Sequence, residues 1–125
     1  VQIRKTFAFE AAHVLPHHPG KCARLHGHSY RLEVALEGPL EPAGPAAGMI
    51  MDFDLLSQAV DAHILGELDH RSLNDLMDNP TAEQILIWIW PRLAAALPLL
   101  AELVLWETER ACAVLRKGDP LASAG

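Results

Sequence analysis

Residues 22–28, Cys22-Ala23-Arg24-Leu25-His26-Gly27-His28, place a thiol four positions before the first of two histidines that are separated by one glycine. A third histidine, His13, closes the run Phe9-Glu10-Ala11-Ala12-His13. Three neutral imidazoles leave a fourth coordination position open, the arrangement of a catalytic zinc centre. Side chains alternate along extended backbone, so His26 and His28 point to the same side. Gly27 leaves room between them for a ligand or another backbone. His13 must then come from a neighbouring strand. His17 and His18 sit in Pro16-His17-His18-Pro19-Gly20 and read as solvent-facing loop residues.

Lys21 and Arg24 flank the thiol in a chain whose formal net charge is −6. The global sign argues against non-specific nucleic-acid binding. It does not oppose an anionic small substrate, because local cations act against the overall charge. The two cysteines, Cys22 and Cys112, are too few for a secreted disulfide scaffold and read as free thiols in a reducing cytoplasm. At 125 residues, with half of them apolar, the chain suits one folded domain over residues 1–118 and a polar tail, 119–125, expected to fray. The longest apolar stretch, Ile85 to Leu105, is broken by Pro91, Arg92, Pro98 and Glu102 and does not read as a membrane span. Arg4 and Lys5 fall in an alternating pattern with no apolar block behind them, so no signal peptide is expected.

The elements that must position these residues follow from periodicity. Val1 to Ala11 alternates, with Val1, Ile3, Lys5, Phe7 and Phe9 on one face, and predicts a half-buried strand. His28 to Glu37 alternates again, with Tyr30, Leu32, Val34 and Leu36 inward, as in an antiparallel sheet with one wet face. Gly38 to Gly48 reads as a long loop and Met49 to Met51 as the start of a short returning strand. Asp52 caps a predicted helix over Phe53–Leu68, its core stripe Leu55, Leu56, Ala59, Val60, Ile64 and Leu68, with His63 beside that stripe. Thr81 and Gln84 match a capping box for a second helix that runs towards Leu97 and is expected to kink at Pro91. Glu102–Glu109 and Ala111–Lys117 read as the last two strands. Strands segregated from two helices imply an α+β domain with both helices on one face of an antiparallel sheet.

Six pieces fall in the order of one family: Phe9-Glu10-Ala11-Ala12-His13, the Cys22–His28 run, Met51-Asp52-Phe53, Leu68-Asp69-His70, Asn79-Pro80-Thr81-Ala82-Glu83 and Trp106-Glu107-Thr108. The chain resembles the 6-pyruvoyl-tetrahydropterin synthase family, and within it the bacterial 6-carboxy-tetrahydropterin synthase branch of the queuosine pathway. The resemblance implies the tunnelling fold, a four-stranded antiparallel sheet with two helices on one face. It implies subunits joined edge to edge into a barrel, as trimers stacked into a hexamer, which would also cover the open strand edges. It implies Zn²⁺ on His13, His26 and His28, and 7,8-dihydroneopterin triphosphate as substrate. A Lewis acid at that place acidifies the adjacent substrate C–H.

The same resemblance gives the other residues their roles. Cys22 matches the proton-abstracting thiolate, a form that Lys21, Arg24 and the zinc would favour. Asp69 and His70 match an acid–imidazole pair in which the carboxylate orients the ring for proton return. Glu107 matches a pterin anchor, its two oxygens accepting from adjacent ring N–H groups. Thr81 matches a pterin contact, although it also serves as a helix cap. Ala82 stands where the family often has a second hydroxyl, and Glu109-Arg110-Ala111 replaces a stretch of small residues and glycine. Three other readings carry over: a 6-pyruvoyl-tetrahydropterin synthase with the same site, a pterin or zinc carrier without catalysis, and a hydrolytic three-histidine zinc enzyme. Cys22, Asp69 and His70 together argue against the carrier, and the lack of an evident carboxylate base argues against the hydrolase.

Overall fold

The computed structural model describes residues 1–123. Strand β1 (Gln2–His13) and strand β2 (His26–Glu37) pair antiparallel along their whole length, from Gln2 opposite Glu37 to His13 opposite His26. The alternating pattern sets their faces. Phe7, Phe9, Ala11 and His13 of β1 and Tyr30, Leu32, Val34 and Leu36 of β2 are buried on one side. Val1 is 76% exposed and Ile3 and Lys5 are only half-buried, so the inward face of β1 begins in earnest at Phe7.

Helix α1 (Phe53–Val60) continues through a π turn (Asp61–Leu65) into the single helical turn α2 (Gly66–Leu68). Asp52 caps it, its carboxylate accepting from the Asp54 N–H. Leu56, Val60, Ile64 and Leu68 are fully buried. A strict four-residue spacing drifts about 40° per step around a 3.6-residue helix. The wider π turn takes up that drift and keeps the four on one face. Leu55, expected in this stripe, is 51% exposed, and His63 is exposed.

Strand β3 (Arg71–Ser72) adds to the far edge of β1, parallel, at Ala11 and Ala12. Helix α3 (Ala82–Ala96) is capped by Thr81, which accepts from the Gln84 N–H, and includes Pro91. Strand β4 (Leu100–Thr108) pairs with β2, and strand β5 (Ala111–Arg116) with β4. The order across the sheet is β3-β1-β2-β4-β5. The four expected antiparallel strands are present, and the two-residue β3 makes a fifth.

Met49–Met51 does not form a strand. Gly44 and Gly48 take positive φ values of 85° and 80° and turn the chain back on itself. Ile50 then enters the core by side-chain packing rather than by strand pairing.

The helices and the inward sheet face share one core, in which Leu56, Ile64, Ile85, Ile89 and Leu93 meet Phe9, Leu32, Leu103 and Leu105. The opposite face is charged. Arg4, Ala35, Glu102 and Arg116 lie in one row across four strands. Both arginines hold Glu102, Arg4 at 2.6 Å and Arg116 at 2.7 Å. Arg31 stacks 5.1 Å from the centre of the Trp106 ring. In the tail, Pro120–Ser123 form a short turn and Ala122 is buried, while the expected fraying at residues 124–125 lies outside the described residues. No described helix is long and apolar enough to cross a membrane.

Candidate active site

The β1–β2 register places His13 opposite His26, and the two-residue repeat of β2 brings His28 to the same face. One ring nitrogen from each of the three lies within 4.8 Å of the others. His13 is fully buried. Its Nδ1 lies 2.8 Å from the Pro80 carbonyl oxygen, and the Nδ1 of His26 lies 2.7 Å from the Arg24 carbonyl oxygen. A carbonyl only accepts, so each Nδ1 donates, and in the neutral rings both Nε2 atoms are then lone pairs. In that form the two Nε2 atoms face each other 2.8 Å apart with no proton between them. The buried Nε2 of His28 makes no hydrogen bond, although Glu107 Oε1 stands 3.1 Å from it. Burial pulls the pKa of His28 below the usual histidine value; Glu107 works against this, and the His13 and His26 rings add to the lowering.

In the neutral rings, two opposed lone pairs and a third ring nitrogen without a hydrogen bond, with a carboxylate oxygen close by, are a poor arrangement without a cation and a fitting one with it. The donor set, three imidazoles and no thiolate among them, suits zinc with an open position. The residues present therefore fit the metal that the resemblance implies.

Cys22 sits on a single 3₁₀ turn, Lys21–Ala23, between β1 and β2. It is half-buried and free, as is the exposed Cys112. Lys21, Cys22, His26, His28, Glu107 and Thr108 line one cleft of about 550 Å³. Glu107 comes from the end of β4, on the same sheet face as Leu103 and Leu105. Its Oε1 lies 3.1 Å from His28 Nε2 and 3.4 Å from His13 Nε2. Beneath the cluster Tyr30 is buried, its hydroxyl 3.3 Å from His13 Nδ1. Burial, with the Glu107 carboxylate adding to it, pushes that phenol's pKa up, so Tyr30 stays neutral. Thr81 lies one residue beyond the carbonyl that holds His13, and it caps α3.

Asp69 and His70 are paired, Asp69 Oδ1 to His70 Nδ1 at 2.9 Å, but they do not line this cleft. They follow α2 at the outer edge of β1. Asp69 Oδ1 accepts from the Glu10 N–H at 2.9 Å, and the His70 N–H donates to the Glu10 carbonyl. The Glu10 backbone bond is the main reason the Asp69 carboxyl is held below its usual range, with His70 adding to it. His70 has φ of +58°, a left-handed conformation uncommon outside glycine. Backbone strain of this kind concentrates at functional sites. His70 opens onto a second cavity of about 520 Å³, shared with Glu10, Ser29, Arg71 and Ser72 and touching His28 and Gly27. A methyl added at Gly27 would meet Ala11 O at 3.5 Å, an ordinary contact, so strand pairing alone does not demand this glycine.

The structure thus gathers His13, His26, His28, Cys22 and Glu107 and sets Asp69–His70 apart. Sequence reading missed Tyr30 as a neighbour of the histidine cluster, since its place in the alternation marked it only as core. It also missed Asn74, whose carboxamide bonds both backbone groups of Val14, at 2.8 and 2.9 Å.

An α+β domain with three clustered imidazoles that could hold a metal ion, and a thiol and a carboxylate on one cleft, suits an enzyme for a small ligand. Comparison with known proteins specifies it further. The family profile described as 6-pyruvoyl tetrahydropterin synthase matches residues 2–118. The 6-carboxy-5,6,7,8-tetrahydropterin synthase of Synechocystis is 47% identical over 97 residues, 75% of each chain. The dihydroneopterin monophosphate aldolase of Pyrococcus furiosus is 43% identical over 103 residues, 80% of this chain and 83% of that one. The 6-pyruvoyl tetrahydropterin synthase structure from Caenorhabditis elegans superposes with a TM-score of 0.82 over 94% of this chain and 95% of the other, at 24% identity, and speaks for the fold. The chain belongs to the 6-pyruvoyl tetrahydropterin synthase family of enzymes and has its tunnelling fold.

Proposed function

We propose that the protein is a zinc-dependent lyase that converts 7,8-dihydroneopterin triphosphate and one water to 6-carboxy-5,6,7,8-tetrahydropterin, acetaldehyde and triphosphate, in the cytoplasmic route to queuosine. The observation that carries this reading is the convergence of His13, His26 and His28 on a cleft that also holds Cys22 and Glu107. The Synechocystis relative's name supports the carboxy product over the pyruvoyl one.

Zinc on the three Nε2 atoms supplies a Lewis acid for the oxygens of the substrate side chain. Glu107 anchors the pterin through two N–H groups, which sets that side chain against the histidines. Cys22, as thiolate, takes the proton from the side-chain carbon. Asp69 orients His70, and the imidazole returns a proton. Lys21 at the rim of the cleft offsets phosphate charge. Thr81 adds a hydroxyl near the pterin.

Asp69 and His70 open away from the thiol within one chain. The outer edge of β1 from Gln2 to Phe9 and that of β5 have no strand partner among the described residues. Subunits joined along these edges, as a trimer or stacked trimers, would bring one chain's pair to a neighbour's cleft, so the function is read as that of a homo-oligomer.

A second reading is favoured by the Pyrococcus relative, which aligns with more of this chain than the Synechocystis one does. It is an aldolase acting on the monophosphate. Mass spectrometry of the zinc-loaded protein with the triphosphate and, separately, the monophosphate decides between them. The proposal expects the 6-carboxy product and acetaldehyde from the triphosphate. Turnover of the monophosphate alone would replace it with the aldolase, and a 6-pyruvoyl product would replace it with the pyruvoyl synthase.

A further inference from the structure

We propose that Asn74 is a positioning residue for the histidine cluster, holding His13 and, through the adjoining turn, Cys22. This rests on the reading of the three histidines as a metal site.

Strand β1 ends at His13, and Val14 is the first residue beyond it. The Asn74 side chain takes the place a partner strand would have. Its Oδ1 accepts from the Val14 N–H at 2.8 Å and its Nδ2 donates to the Val14 carbonyl at 2.9 Å. Only one orientation of the amide satisfies both bonds, so the side chain acts as a two-point clamp, like one rung of an antiparallel ladder. Asn74 is fixed in turn by the 3₁₀ turn Leu73–Asp75, whose Leu73 is fully buried. The same segment, 73–80, ends at Pro80, whose carbonyl holds the His13 ring at Nδ1. One loop therefore grips the backbone next to His13 at one end and its imidazole at the other. The residue after the clamp, Leu15, donates its N–H to the Cys22 carbonyl at 2.9 Å, which ties the thiol's turn to the same point.

Asn74 touches neither a ring nor the thiol. Its effect is on where the Cα of His13 stands and so on how well three lone pairs converge. Partners that hydrogen-bond a metal ligand typically change the metal's affinity about 10–100-fold; Asn74 bonds to the residue after the ligand, which puts its effect at the lower end, about 10-fold.

The test measures zinc affinity by competition with a chelating indicator, and the visible absorption of the cobalt(II)-loaded protein, for the wild type, Asn74→Ala and the isosteric Asn74→Asp. Asn74→Asp keeps the acceptor for the Val14 N–H but sets a carboxylate against the Val14 carbonyl, and it serves if the alanine variant fails to fold. The expected result is stoichiometric zinc on the wild type, affinity lowered about 10-fold in both variants, the lower end of the range for partners of metal ligands, and an altered cobalt band. A lower unfolding temperature of the metal-free variants, with zinc affinity and the cobalt band unchanged, would show Asn74 to be merely structural and overturn the proposal. A wild type that takes up no zinc would overturn the metal reading beneath it.

Discussion

Glu107 Oε1 lies 3.1 Å from His28 Nε2, so a ring gripped by that carboxylate is set directly against the imidazole cluster. The relationship comes from the sheet. Glu107 continues the inward row Leu103 and Leu105 of β4, and His28 continues Tyr30 and Leu32 of β2, with Leu105 opposite Leu32. Two strands that carry the hydrophobic core along most of their length carry chemistry at one end.

Glu107→Gln keeps the shape of the side chain but replaces one acceptor with a donor. Loss of a charge-assisted, two-point contact should weaken pterin binding by roughly 2–4 kcal/mol. Calorimetry with a pterin product checks this, and unchanged affinity would reject the anchor.

Replacing His13, His26 or His28 with Ala should remove metal and activity together. Because His13 is fully buried and hydrogen-bonded, its variant should also lose stability in the metal-free state, whereas His28 is half-buried and its Nε2 makes no hydrogen bond, so His28→Ala should cost less. Metal content and thermal unfolding of the three variants test both halves. Full zinc occupancy in all three would defeat the assignment.

Cys22→Ala should keep fold, metal and pterin binding but lose the proton-abstraction step, about 10²–10⁴-fold for a general base. Iodoacetamide should label Cys22 in the cleft, and bound substrate should protect it. Cys112, outside that cleft, should label with or without substrate. A variant with near-normal turnover and intact metal would move the base to His70.

Glu102 makes a separate, structural prediction. Burial works against its charge, but hydrogen bonds from Arg116 and Arg4, and their charges, outweigh burial and hold its pKa below the ordinary 4.5. The folded state thus takes up this proton less readily than the unfolded state. The stabilisation is fully present above the ordinary value and is lost as pH falls through the folded value. Glu102→Gln should cost about 1–2 kcal/mol near neutrality, between an exposed and a buried pair. The cost should shrink in acid. A loss of equal size at pH 7 and pH 3 in urea titrations would contradict the ion-pair account.

Long alternations were legible in the chain because each residue of β1, β2 and β4 reports its own face. Hence Phe9, Tyr30 and Leu32 were read inward and the histidine pair on one side. Short features were not. Met49–Met51 has the composition of a strand, but Gly44 and Gly48 turn it away from the sheet. Arg71–Ser72 has no pattern of its own and pairs only because α2 delivers it to the edge of β1. Leu55 falls in the stripe of the first helix by its four-residue spacing to Ala59, but it stands about 100° round the helix from Leu56, outside the face that Leu56, Val60, Ile64 and Leu68 bury. Within the site, residue type and spacing pointed to His13, His26, His28 and the neighbouring Cys22, whereas Asp69, His70, Thr81 and Glu107 stood out only through the family resemblance. Asn74 was invisible because its partners lie 60 positions away in the chain. The separation of Asp69–His70 from the thiol was equally hidden, since it depends on which side of β1 the chain emerges after α2.

The most direct measurement is anomalous X-ray scattering at the zinc edge from crystals grown with zinc and a pterin ligand. The account predicts one strong site per chain, about 2.0–2.1 Å from the Nε2 atoms of His13, His26 and His28, with the pterin N–H groups on Glu107 and its side chain directed at Cys22. A zinc site elsewhere, or a pterin bound away from Glu107, would contradict it.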